Sequence, residues 1–71
     1  MDEKVKLHVF LEKARGFVSI RYNSSYILNT DMFGSLVNDV KKNQAYSLFK
    51  NKYVSYFYVN NYNILTFEIE D

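Results

Sequence analysis

The chain has no cysteine, no proline, one histidine and two glycines, Gly16 and Gly34. Without cysteine, disulfides and thiolate zinc sites are excluded. With His8 as the one imidazole, a histidine-based metal site would need carboxylates to complete it. No metal and no cofactor is therefore expected. The lack of cysteine also fits a reducing compartment. No apolar run approaches the roughly 18 residues of a membrane-spanning helix. Met1-Asp2-Glu3-Lys4 shows no basic segment leading into an apolar one, so neither a membrane partner nor a secretory signal is expected. Without such a signal, the glycosylation pattern Asn23-Ser24-Ser25 reads as coincidence. A large charge of one sign is missing too. Nine Lys and Arg stand against eight Asp and Glu, a net charge of +1, whereas a dedicated duplex-DNA binder is much more basic.

What is there is apolar and aromatic. Hydrophobic residues make up 48% of the chain and aromatics 18%, outside the range of disordered sequences. The 71 residues make one domain, 1–71. A domain this short buries only about 60% of the surface its unfolded chain exposes, so it is marginal in stability. Disulfides and metals being excluded, a partner or a second copy is the remaining stabilising device. Neither a linker nor a low-complexity tract interrupts the chain.

Hydrophobic periodicity gives the expected elements. Residues 4–12 alternate: Val5, Leu7, Val9 and Leu11 on one side; Lys4, Lys6, His8, Phe10 and Glu12 on the other. This predicts a half-buried strand. Phe17–Tyr22 alternates again, and Gly16 suits the turn between the two. A hairpin centred on Ala14-Arg15 pairs Leu11 with Val18, Val9 with Ile20 and Leu7 with Tyr22. Asn23-Ser24-Ser25 is a loop by composition, and Tyr26-Ile27-Leu28 is a short strand or the approach to a helix. The helix is predicted from Asn29 or Thr30 to Lys42, with Leu28 and Phe33 as a hydrophobic staple. Asp31 in its first turn and Lys41-Lys42 in its last match the helix dipole. Its apolar stripe is Met32, Phe33, Leu36, Val37 and Val40, with Gly34 inside allowing close packing on the sheet. Residues 46–49 either extend the helix or form a strand. Tyr53–Val59 is a strand, 60–63 a turn, and 64–70 a strand with Leu65, Phe67 and Ile69 inward. The preferred register pairs Tyr58 with Leu65, Tyr56 with Phe67 and Val54 with Ile69; a three-residue loop instead turns Phe57 and Ser55 inward. The predicted fold class is α+β, in the order ββαββ or ββαβββ, with an antiparallel or mixed sheet and one helix packed on one face.

The catalytic inventory is thin, and the chain is expected not to be an enzyme. It has no cysteine nucleophile, no phosphate-binding glycine loop and no G-x-S-x-G context for a serine. His8 reads as a surface residue in mid-strand, Glu68 and Glu70 as a solvated strand edge, and Asp31 and Asp39 as helix charges. No small-molecule substrate is implied. Two constellations point to macromolecular partners. One is the outer face of the expected first hairpin, where Lys4, Lys6, His8 and Phe10 lie beside Phe17 and Arg21. Basic residues interleaved with aromatics would make a stacking platform for single-stranded nucleic acid. Pairing of Lys4 and Lys6 with Glu68 and Glu70 across neighbouring strands would neutralise it. The other is the tyrosine cluster, with Tyr53, Tyr56, Tyr58 and Tyr62 joined by Tyr46, more aromatic surface than one helix can bury. The leading expectation is a small protein-binding module. It would act as a regulator or inhibitor, or by self-association as a homo-oligomer, through Phe10, Phe17, Arg21, Tyr53, Tyr56, Tyr58 and Tyr62. The alternative is a single-strand nucleic-acid binder. The bias towards Tyr, Asn and Lys matches an AT-rich genome. A cytoplasmic setting is expected, in the host if a phage or mobile element carries the chain.

Overall fold

A computed structural model describes residues 4–71. Met1-Asp2-Glu3, on which the reading of the N-terminus partly rests, lie outside the described residues. The elements in order are β1 (Val5–Lys6), α1 (Leu7–Lys13), β2 (Phe17–Tyr22), β3 (Ser25–Ile27), β4 (Ser35–Leu36), α2 (Val37–Lys42), α3 (Tyr46–Phe49), β5 (Tyr53–Val59) and β6 (Leu65–Glu70). The fold is α+β with a mixed sheet, in the strand order β1-β5-β6-β2-β3, with β4 pairing β2 beyond the end of β3. β2 and β6 run parallel, Val18 beside Leu65 and Ile20 beside Phe67. Every other pair is antiparallel.

The first expected hairpin does not form. The chain leaves β1 after Lys6 and turns into α1. The alternation at 5, 7, 9 and 11 coexists with a helical set at Leu7, Phe10, Leu11 and Ala14, spaced i, i+3, i+4, i+7. The helical set wins because it buries more. Leu7 and Leu11 are fully buried, and Phe10 and Ala14 pack against the core. Val9 is left on the outside. Each large apolar side chain fully buried contributes about 1.5–3 kcal/mol, which outweighs strand propensity. No side chain caps α1. Instead the N–H groups of Leu7 and His8 donate to the carbonyls of Lys52 (2.9 Å) and Lys50 (3.1 Å), so tertiary contacts satisfy donors that a helix start leaves open. Gly16 takes the expected positive φ, +81°, but joins a helix to a strand.

The predicted central helix is reduced to its second half. Asn23 and Ser24, both at positive φ, make the two-residue turn between β2 and β3. Leu28 and Asn29 are also left-handed, so neither the Asn29 cap nor the Leu28–Phe33 staple exists. The Asp31 carboxylate accepts from the Phe33 N–H (2.8 Å), and the Asp31 carbonyl accepts from Gly34 N–H (2.9 Å). Gly34, at φ +78°, ends this turn and cannot continue a helix there. It does allow the close approach to the sheet expected of it. A Cβ at Gly34 would sit 2.8 Å from Ile64 Cγ2 and 3.2 Å from the Val18 carbonyl oxygen. The apolar stripe is therefore split: Val37 and Val40 are buried, whereas Met32, Phe33 and Leu36 are exposed.

The loop before β4 also completes the edge of β2. β3 pairs with residues 20–22 and β4 with 17–18. Between them the Thr30 hydroxyl accepts from the Ile20 N–H (3.1 Å) and donates to the Ile27 carbonyl (2.6 Å). The Ser19 hydroxyl donates to the Asp31 carbonyl. A side chain thus replaces one rung of a strand ladder.

Residues 46–49 form neither a helix extension nor a strand but a separate turn of helix, α3. In the β5–β6 hairpin both expected registers occur. Val59 opposes Leu65 and Phe57 opposes Phe67, the register that turns Phe57 inward. A bulge between Val54 and Tyr56 then restores the expected pair Val54 and Ile69. The Asn60 side chain sets the turn. Its Oδ1 accepts from the N–H groups of Tyr62 (2.8 Å) and Ile64 (3.1 Å), and its amide donates to the Met32 carbonyl (2.9 Å).

Thr30→Val, which leaves the buried Ile20 N–H without its acceptor, is expected to lower stability by about 1–3 kcal/mol. Thr30→Ser should cost less. Urea unfolding midpoints at unchanged slope provide the measurement. Gly34→Ala combines a left-handed backbone with a backbone contact that cannot give way, and should cost about 2 kcal/mol or more by the same measurement.

Candidate interaction surface

The three helices lie against one face of the sheet, over Val18, Ile20, Phe67 and Ile69. The opposite face carries Tyr26, Tyr53, Tyr56 and Tyr58. Arg21 of β2 and Glu68 of β6 are register neighbours, with Arg21 Nη1 3.2 Å from Glu68 Oε2. The Tyr58 hydroxyl sits against both, donating to Glu68 Oε2 at 3.2 Å. Arg21 Nη2 donates to the Ser24 carbonyl at 2.8 Å, and its guanidinium lies 5.2 Å from the centre of the Tyr26 ring. Among the described residues, Arg21 Nε is buried without a partner. Tyr56 stacks beside Tyr58 with ring centres 5.9 Å apart. Nearby, the Lys4 ammonium reaches across Tyr53, 5.7 Å from the ring centre, to Glu70 at 2.9 Å. The Glu70 carboxylate, first through its hydrogen bond and then through its charge, holds the Lys4 amine above its usual pKa. Lys4 therefore reaches Glu70 although β5 lies between their strands, while Glu68 pairs with Arg21.

The second feature is the outer edge of β5. β1 pairs only with Tyr53 and Val54. Among the described residues, nothing pairs with that edge from Ser55 to Val59. Tyr56, Phe57 and Val59 are 59%, 55% and 61% exposed. Phe57 is anchored at its inner side, 5.5 Å from the ring of Phe10 and 6.1 Å from that of Phe67. No charged residue occurs between Lys52 and Glu68.

A third apolar area lies where the 60–63 turn meets the loop before β4. Phe33 packs on Tyr62 with ring centres 4.7 Å apart. Phe17 and Leu36 are a cross-strand pair, and both are exposed.

The expected site residues are thus distributed over several surfaces. Tyr53, Tyr56 and Tyr58 share β5, and Arg21 is held against Tyr58. Tyr62 lies on the turn with Phe33. Phe10 is not on an outer strand face; it lies on α1, against Phe57 and Phe67. Phe17 sits at the start of β2. Lys4 and Lys6 lie at β1 or just before it, and His8 lies on α1. With the hairpin gone, Lys6, His8, Phe10, Phe17 and Arg21 do not form the single basic and aromatic face expected of them. Phe57 and Val59, the most exposed apolar pair on β5, were missed. The available signal was the unbroken uncharged run of the strand, in which both faces are apolar or aromatic.

Two clefts flank the helices. One, of about 320 Å³, lies between the end of α1, Gly16 and α2. The other, of about 370 Å³, is lined by His8, Glu12, Lys41, Tyr46, Lys50 and Asn51. In the second, His8 Nδ1 is 3.5 Å from Glu12 across one helix turn. Burial, and then the Glu12 charge, push the Tyr46 hydroxyl above its usual pKa. No group of three or more potential metal ligands occurs among the described residues, and no helix is long and apolar enough to cross a membrane. Comparison of the chain with protein-family models, with curated proteins and with solved structures finds no match.

Glu68→Gln removes the carboxylate from Arg21 and Tyr58 on a mostly buried part of the face. A loss of about 2 kcal/mol is expected, and a double-mutant cycle with Arg21→Gln should show that most of it is shared between the two.

Proposed function

We propose that the protein is a small, non-enzymatic binding module that regulates or inhibits a larger protein by occupying its surface, or works by self-association. β5 is the contact element. The observation that carries this reading is an uncharged aromatic strand whose outer edge, among the described residues, is paired over only two of its seven residues. Tyrosine and phenylalanine supply large contact area at little cost in side-chain entropy, and a free strand edge supplies directional main-chain bonds. Tyr56 and Tyr58 present one side of that strand and Phe57 and Val59 the other. The Arg21–Glu68 pair holds Tyr58 in place from behind. The setting proposed is the cytoplasm, that of a host if the chain belongs to a phage or mobile element.

The test is capture from a lysate of the source cells with the tagged protein. Wild type should retain a partner in stoichiometric amount. Val59→Lys, which sets a charge on the free edge, should lose it. Leu48→Lys, at an exposed position on α3, should retain it. Equal retention by the two variants would remove β5 from the contact and end this reading.

A further inference from the structure

The edge of β5 has a definite set of free main-chain groups. Asn60 N–H donates inward to the Ile64 carbonyl at 3.0 Å. Alternation along an antiparallel strand then turns the groups of Tyr58 and Tyr56 towards β6, and those of Phe57 and Val59 away from it. On the other side of the bulge the phase is reversed, and the Lys52 carbonyl faces outward to Leu7 N–H. Among the described residues, two complete rungs, Phe57 and Val59, are therefore left open, two residues apart.

We propose that a second copy of this chain closes them, β5 against β5, antiparallel about a two-fold axis at Tyr58. This rests on the reading of β5 as the contact strand and names its partner. In this register Phe57 exchanges both main-chain bonds with the partner's Val59, and Val59 with the partner's Phe57. All four open rungs are filled and no new edge is created, as an isologous contact requires. On the helix side each Phe57 ring lies beside a valine, an aromatic and β-branched cross-strand pair. On the other side Tyr58 meets its own copy across the axis, and Tyr56 meets Asn60. The contact is self-complementary in charge because no ionised side chain lies between Lys52 and Glu68. A two-fold axis through a strand bearing a lysine or glutamate would set like charges together. Edge strands that stay single usually carry such a charge or a proline, and this one has neither. Its one irregularity, the bulge at Ser55, lies next to Val54, the last β5 residue paired with β1. The two six-stranded sheets become one of twelve strands.

The absence of cysteine makes the test clean. Residues facing each other at a non-hydrogen-bonded antiparallel position have Cα atoms about 4.5 Å apart, within disulfide range. Tyr58→Cys should therefore oxidise to a covalent dimer, and Tyr56→Cys, opposite Asn60, should not. In the unmodified protein, sedimentation equilibrium between micromolar and millimolar concentration should show a monomer–dimer equilibrium. Amide exchange at Phe57 and Val59 should slow about tenfold when nine-tenths of the chains are dimeric, if exchange proceeds from the monomer. Exchange at Tyr58 should not change with concentration. A monomer throughout that range overturns the proposal. So does a dimer in which Phe57 and Val59 exchange no more slowly, or in which Tyr56→Cys cross-links as well as Tyr58→Cys. A monomer that still captures a different protein, in a manner lost with Val59→Lys, overturns the self-pairing alone. A monomer without such capture removes the β5 reading too.

Discussion

The parallel pairing of β2 with β6 is the contact on which the rest of the molecule depends. It brings together segments 47 residues apart in register and places Val18, Ile20 and Tyr22 beside Leu65, Phe67 and Ile69. At their centre these two strands are buried on both faces, since Ser19 and Thr66 on the far side are as inaccessible as Val18. All three helices contribute apolar side chains to the core around this pair. The β2 edge is then finished by three short pieces in turn, β3, the Thr30 hydroxyl and β4. Each is too small to stand alone, and each is held in place because β2 is already fixed by β6. A parallel, long-range contact of this kind forms late and slowly, as loop-closure entropy must be met first.

The second half of the chain was legible because its signals agree. The uncharged β-branched and aromatic run of β5, the asparagine-rich turn and the clean alternation of β6 all indicate the same hairpin. Its register was less legible. Both candidate pairings were visible, and the strand uses one on each side of the bulge. No local feature of Ser55 marks where the change occurs. Its hydroxyl donates to the Glu68 carbonyl at 3.0 Å, a contact that exists only once the sheet has formed. The first half misled because its pattern is degenerate. Val5, Leu7, Val9 and Leu11 satisfy a period of two, and Leu7, Phe10, Leu11 and Ala14 satisfy the helical one. Phe10 breaks the tie, and its weight becomes visible only when Phe57 and Phe67 are there to receive it. The central helix was overextended for a related reason. By sequence Gly34 reads as a residue tolerated within a helix, whereas its positive φ makes it the boundary.

The candidate surface was legible in composition and not in geometry. An excess of tyrosine announced aromatic surface beyond the reach of the helices, and β5 carries it. Which side chains lie outermost depended on the one-residue choice of register, so Phe57 and Val59 were placed wrongly while Tyr56 and Tyr58 were read as facing the core. The nucleic-acid face failed for a different reason: it presumed that residues 4–12 and 17–22 were adjacent strands, and β5 and β6 lie between β1 and β2.

The uncharged run of β5 has a cost that follows from the same chemistry as its proposed use. Seven residues, Tyr53–Val59, combine high strand propensity with no charge and no proline, the signature of segments that stack into cross-β fibres. In the folded chain β6 covers one edge and β1 a fraction of the other. An occupant of the open remainder, as proposed above, would also withhold this segment from runaway stacking, which ties solubility to the same edge. A mutation elsewhere that merely loosens the β2–β6 contact would expose both edges of β5 together, and its first visible symptom would be precipitation, ahead of any loss of binding.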